Sequence, residues 1–305
     1  MLLPVRLTDV PGTGYPASLG TIGRSPRTPL LGALLAVGGI ALARLLAFQV
    51  AAIHHADAVT LHGFISLDRD SINPLANAVA HVANPAPYGL LGSLLIGIAL
   101  VQGRARTAAA VLMVLLGSAV TTDYVLKPTL ASHRYDAVLG LHQVPGGSLP
   151  SGHATASMAL ALCAILVAAP RFRPYVAALG AVFAIAVSYA FLTLGWHYPS
   201  DVLGGYLVAG AWTGVAVAAL RFADARLPAR TGREAAGRLL SGVQARALGA
   251  GIVGLLLLAV AGVAAVAPHR TLDFLRVHTI FTIGAGAIAL ASMAVAGVLA
   301  AILRD

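Results

Sequence analysis

The sequence predicts an all-α polytopic membrane protein of eight transmembrane helices, a six-helix core followed by a C-terminal two-helix hairpin. Three observations predict it. Of 305 residues, 58% are hydrophobic and 10% charged, whereas soluble domains carry about 25% charged residues. The apolar residues gather into runs near the ~20 residues that a bilayer crossing requires. The basic residues, finally, crowd into alternate connections between those runs.

Residues 1–29 are rich in Pro, Gly, Ser and Thr, carry Arg6, Arg24 and Arg27, and show no periodic apolar pattern. They are expected to form a cytoplasmic tail without a cleaved signal peptide, since no basic n-region and short apolar core open the chain. The expected spans are 30–51, 85–102, 107–126, 153–169, 174–193, 201–220, 247–267 and 279–303. Between the first two, Leu67 to Ala83 is too polar to span and reads as a short interfacial helix. Residues 30–221 thus form the core, 222–246 a basic cytoplasmic linker, and 247–305 the hairpin.

Orientation follows from Lys and Arg, which accumulate on the cytoplasmic side. With the N-terminus inside, the inner segments hold 14 of these residues and the outer segments 5, so both termini are expected in the cytoplasm. All ten histidines then fall at the outer ends or in the outer loops, along with Asp123, Asp136 and Asp201. Arg44 alone lies inside a span, and an intramembrane charge calls for a partner, for which Asp123 is the candidate. A formal charge of +9 in a soluble chain would point to nucleic acid. Here the loop arginines account for it, and the expected contact is the lipid bilayer, with no nucleic-acid partner. The single cysteine, Cys163, excludes an intramolecular disulfide and a cysteine-based metal site. The histidines show no recognised ligand spacing, and no metal is assigned.

Three groups converge on the outer ends of the third to sixth spans. Lys127 and Arg134 stand seven positions apart at the end of the third, and Lys127 is the only lysine in the chain. That choice of a compact ammonium among nineteen arginines is itself a signal. Pro150-Ser151-Gly152-His153 follows, where a polar loop becomes an apolar helix; taken alone it is equally an ordinary turn and N-cap. Gly195-Trp196-His197-Tyr198-Pro199-Ser200-Asp201 opens the sixth span, with His197 and Asp201 at i and i+4, on one face of a helix.

The chemistry divides among them. Two cations and a helix N-terminus make a clamp for a phosphoryl group. An imidazole whose second nitrogen faces a carboxylate is fixed in tautomer and serves as nucleophile or base, the role of His197 with Asp201. His153, in the first turn beside the anion, is placed to protonate a leaving group.

These residues resemble the type 2 phosphatidic acid phosphatase family, related to the vanadium haloperoxidases. The family pattern is Lys-x6-Arg-Pro, then Pro-Ser-Gly-His, then Ser-Arg-x5-His-x3-Asp, and the resemblance covers about residues 55–220. It implies a six-helix membrane core with an extracytoplasmic site and dephosphorylation without metal or other cofactor. It assigns His197 as nucleophile, Asp201 as its orienting carboxylate and His153 as general acid, with Lys127, Arg134, Ser151 and Gly152 on the phosphate. Two positions depart. Tyr135 replaces the first motif's Pro, and the third motif's Ser-Arg falls on Ala190-Phe191, so one clamping arginine is absent. The expected activity is hydrolysis of a lipid phosphate monoester or diphosphate, on a polyprenyl or glycerolipid, at the cytoplasmic membrane. Two alternatives stand beside it, a lipid phosphotransferase on the same chemistry and a non-catalytic lipid-binding protein on a degenerate scaffold. Neither the lipid nor the oligomeric state is legible.

Overall fold

The computed structural model describes residues 25–226 and 268–303, and within them the chain is all helical, without strands. The helices are α1 (Arg27–Gln49), α2 (Ala51–Ile65), α3 (Asn73–His81), α4 (Pro85–Val101) and α5 (Ala105–Val120). A π-helical turn, Thr121–Leu126, carries α5 into the short α6 (Lys127–Leu130). Then come α7 (Gly152–Val167), α8 (Arg173–Thr193), α9 (Pro199–Arg226), α10 (Pro268–Val277) and α11 (Thr279–Ile302).

Five stretches are long and apolar enough to cross a membrane: Arg27–Gln49, Ala105–Leu130, Pro170–Thr193, Pro199–Arg226 and Thr279–Ile302. A sixth appears if α3 and α4, bent by 49° at their break, are taken as one span. The protein is therefore a multi-pass membrane protein, but the expected count of eight is not reached among the described residues. The run at 247–267 lies outside them, as do most of the 1–29 tail and of the 222–246 linker. The run at 153–169 is the 16-residue α7, too short for a span by itself. It lies against α4, α5, α8 and α9 with nearly every side chain buried, so its neighbours rather than its own length separate it from lipid.

Arginines tie the helices together at the end away from the histidines. Arg104 donates to the carbonyls of Leu166 and Val167, Arg106 pairs with Asp224, and Arg221 donates to Ser25 and Ile302. Helix ends at this position leave carbonyls without intrahelical partners, and the guanidinium donors satisfy them. Both ends of the described chain meet arginines here, Ser25 accepting from Arg221 and Leu303 from Arg173.

The other end is roofed by α2 and α3. Helix α3 sits within the interfacial stretch expected at 67–83. Helix α2 was not anticipated from the sequence. Its buried face is Asp57, Ala58, Thr60, Leu61 and Phe64, which mixes polar with apolar groups and so hides the helical period. Helix α11 is not an appendage to the core. Tyr189 of α8 donates its hydroxyl to Ala285, Ser292 donates to Ala181, and Phe281 packs on Phe64 with ring centroids 5.0 Å apart. The partner expected for Arg44 is corrected: Asp123 accepts from Lys127 at 2.7 Å, and the Arg44 guanidinium lies over the Phe48 ring.

Candidate active site

The site is assembled from three helix termini and a loop. Pro128 lacks an N–H and its ring would strike the carbonyl four residues back. The chain opens into the π turn Thr121–Leu126 immediately before it, a common distortion at functional positions. Asp123 and Lys127 emerge from that turn as an i, i+4 pair, both partly exposed to solvent.

Helix α7 begins at Gly152, and Ser151 is its N-cap, the hydroxyl accepting from the N–H of Ala154 at 3.3 Å. The N–H groups of Gly152 and His153, in the first turn, have no carbonyl one turn back within the helix. Lys127 points its ammonium here, since a Cβ placed on Gly152 would stand 3.2 Å from Nζ. A lysine and the positive end of a helix therefore share one small space, which suits an anion.

Helix α9 opens with Tyr198 before Pro199, a favoured first helical residue. Asp201 is fully buried, and its Oδ2 accepts the N–H of Tyr198 at 2.9 Å, as a third-position carboxylate does in a capping box. The same oxygen lies 3.6 Å from Nδ1 of His197. That nitrogen is buried with no other partner among the described residues, so Asp201 is the group that faces it. The two helix starts are also joined through the backbone, Ser151 N–H donating to the carbonyl of Asp201.

His153 and His197 face each other with ring centroids 6.4 Å apart. Nε2 of His153 is 3.0 Å from Oδ1 of Asn84, the residue just before α4. The Asn84 side chain makes no cap to its own helix and is spent on the histidine instead. Trp196 packs on His153 at 5.3 Å. Phe191, fully buried, lies against both histidines, 5.8 Å from His153 and 5.3 Å, edge-on, from His197. The position where the family pattern has an arginine is thus the apolar floor of the site.

Arg134, expected on the phosphate, is buried, with Nη1 donating to Asp57 and to Ser200, each at 2.9 Å, and Nη2 donating to Asp201. Its guanidinium lies between the rings of Tyr198 (3.9 Å) and Phe48 (4.5 Å). Ser200 closes the group by donating its N–H and its hydroxyl to Asp57. The guanidinium has its donors on carboxylates and its faces on rings, so it orders the carboxylate behind His197. Ser151 is likewise engaged as a cap and fully buried, which leaves the backbone of the α7 start, more than this side chain, for a ligand. The structure thus brings Lys127, Gly152, His153, His197 and Asp201 together and places Arg134 behind them.

Asn84 and Asp57 had no signal as site residues in the sequence, since they lie far from the motifs in the chain and only folding brings them in. Ser200 stands inside the third motif, but its tie to Asp57 was not legible there. At the rim, His55 contacts Asp136 at 3.0 Å and joins α2 to the 131–151 loop. Burial alone would raise Asp136, but the N–H of Val138 and the His55 ring outweigh it and hold the carboxyl below its ordinary range.

The chain is thus a multi-pass helical bundle with two facing histidines, a buried carboxylate and a lysine-guarded helix N-terminus at one end. The family model of the PAP2 superfamily matches residues 106–224. That stretch, from α5 through α9, is similar to PAP2 superfamily domains, and it holds Lys127, Pro150 to His153 and His197 to Asp201. Members of that superfamily are phosphatases, and the match supports a phosphoric-ester hydrolase in broad terms. No curated protein and no solved structure matches the chain.

Proposed function

We propose that the protein is a lipid phosphatase that works without metal, removing a phosphate from a lipid monoester or diphosphate through a phosphohistidine. The observation that carries this is the pair of histidines 6.4 Å apart, one backed by Asp201 and the other beside Lys127 and the α7 start.

In the first step Nε2 of His197 attacks phosphorus, the P–N bond forms and the P–O bond to the lipid breaks. The leaving oxygen takes a proton from His153. Asp201 stabilises the positive charge that His197 acquires. Lys127 and the N–H groups of Gly152 and His153 hold the non-bridging oxygens as charge builds on them. In the second step water attacks the phosphorus, gives its proton to His153, and the P–N bond breaks to release inorganic phosphate. The site is assigned to the extracytoplasmic face of the cytoplasmic membrane, with both termini inside, from the clustering of arginine at the opposite end.

One observation favours a second reading, transfer of the phosphoryl group to a lipid alcohol. Phe191 and the engagement of Arg134 remove two arginines from the phosphate's surroundings. A clamp aimed at transition-state charge contributes about 3 kcal/mol, or a hundredfold in rate.

The test is phosphate release by the detergent-purified protein, with EDTA, from phosphatidate, diacylglycerol pyrophosphate, undecaprenyl diphosphate and phosphatidylglycerol phosphate. Release is expected from at least one, falling to background in His197→Ala, with an acid-labile phosphoenzyme in the native protein. Folded protein that releases nothing, yet forms a new phospholipid when a lipid alcohol is supplied, establishes the transferase. Activity that survives His197→Ala removes the phosphohistidine.

A further inference from the structure

We infer that the cavity between α1, the π turn and α9 is a site for an anionic phospholipid, whose phosphodiester pairs with Arg44 and whose chains fill the apolar slot. The cavity, of about 680 Å³, is walled by residues such as Ile40, Ala41, Leu126, Val208 and Trp212, and Arg44 is the one charged residue that lines it. Its volume is that of pockets that hold small ligands.

Arg44 needs an anion that the described residues do not give it. It makes no hydrogen bond among them, no carboxylate lies within ion-pair distance, and its contact is the Phe48 ring, 3.5 Å from the guanidinium carbon. A charged side chain within a span is ordinarily paired. The second guanidinium at Phe48, that of Arg134, has Asp57 and Asp201, so it adds positive charge nearby without lending Arg44 a partner.

The depth also fits a headgroup. Arg44 precedes the end of α1 by five residues, which at ~1.5 Å per residue places its Cα about 7.5 Å below the roof of the site end. The long side chain bends toward that end, over Phe48, where the phosphates of the same leaflet lie. Val37 and Leu45, on the cavity rim, are more than half exposed, so acyl chains can enter sideways from the bilayer. The occupant is a diester of the surrounding leaflet. The proposal does not depend on the phosphatase reading.

Trp212 in the cavity wall supplies the readout. The full-length protein is placed in phosphatidylcholine nanodiscs doped with dibrominated-chain phosphatidylglycerol, phosphatidate or phosphatidylcholine. The part of the fluorescence quenching that Trp212→Phe abolishes is then followed. Phosphatidylglycerol is expected to quench Trp212 at about a fivefold lower mole fraction than phosphatidylcholine, the preference one arginine gives for an anionic headgroup. Arg44→Lys should keep the preference and Arg44→Gln should lose it. Equal quenching by the two diesters in the native protein overturns the proposal whether or not the variants fold. So does a preference that survives Arg44→Gln, or one confined to the monoester phosphatidate, which would make the cavity a path for substrate.

Discussion

Phe191 shows what one residue reveals once its surroundings are known. In the sequence it is a missing arginine; in the structure it is a fully buried ring touching both histidines. An arginine there would have to leave a guanidinium buried among apolar side chains or push the histidines apart. Phe191→Arg is therefore expected to lower thermal stability, the cost of a buried unpaired ion being several kcal/mol, and to leave phosphate release no higher. A stable variant with faster turnover would mean that the position still reaches the phosphate. Lys127 is the contrasting case: composition singled it out as the lone lysine, and its ammonium lies beside Gly152.

At the scale of elements, the site depends on how closely α9 approaches the start of α7. A Cβ on Gly205 would stand 2.7 Å from the carbonyl oxygen of Ser151 and 2.8 Å from the nitrogen of Thr155, both backbone atoms that cannot turn aside. Gly205→Ala must therefore separate the two helices, and overpacking of this kind costs about 1–3 kcal/mol. The expected outcome is a lower thermal midpoint together with a lower rate, because His197 and Asp201 move with α9 while His153 stays with α7. An unchanged rate in a destabilised protein would uncouple the helix contact from the site. Gly205 stands four residues after Asp201 in the same helix, but the reason for a glycine there lies in another helix.

Across the whole molecule, Arg134 joins parts that are remote in the chain. It sits between Phe48 near the end of α1, Asp57 on α2, and Tyr198, Ser200 and Asp201 at the start of α9. Removing it leaves two buried carboxylates without their cation, which for a broken buried pair costs about 3–5 kcal/mol. Arg134→Ala is thus expected to lower thermal stability strongly, alongside any loss of activity. A variant of native stability with a raised KM would instead return Arg134 to the phosphate. Helix α11 extends the same point, because its backbone carbonyls take donors from Tyr189 and Arg221 and make the last helix part of the bundle.

The sequence by itself determined the membrane class, most of the helices, the collection of histidines at one end and the cluster of Lys127, His153, His197 and Asp201. These follow from composition, apolar period and short-range spacing, which act along the chain. Tertiary structure alone decided that α2 is a helix roofing the site, that Asn84 holds His153, and that Arg134 serves the carboxylates. Each of these rests on a contact between groups 66 or more positions apart, Arg134 with Ser200, Asn84 with His153, Arg134 with Asp57. A side chain's charge is written in the sequence, but the partner that neutralises it is chosen by packing.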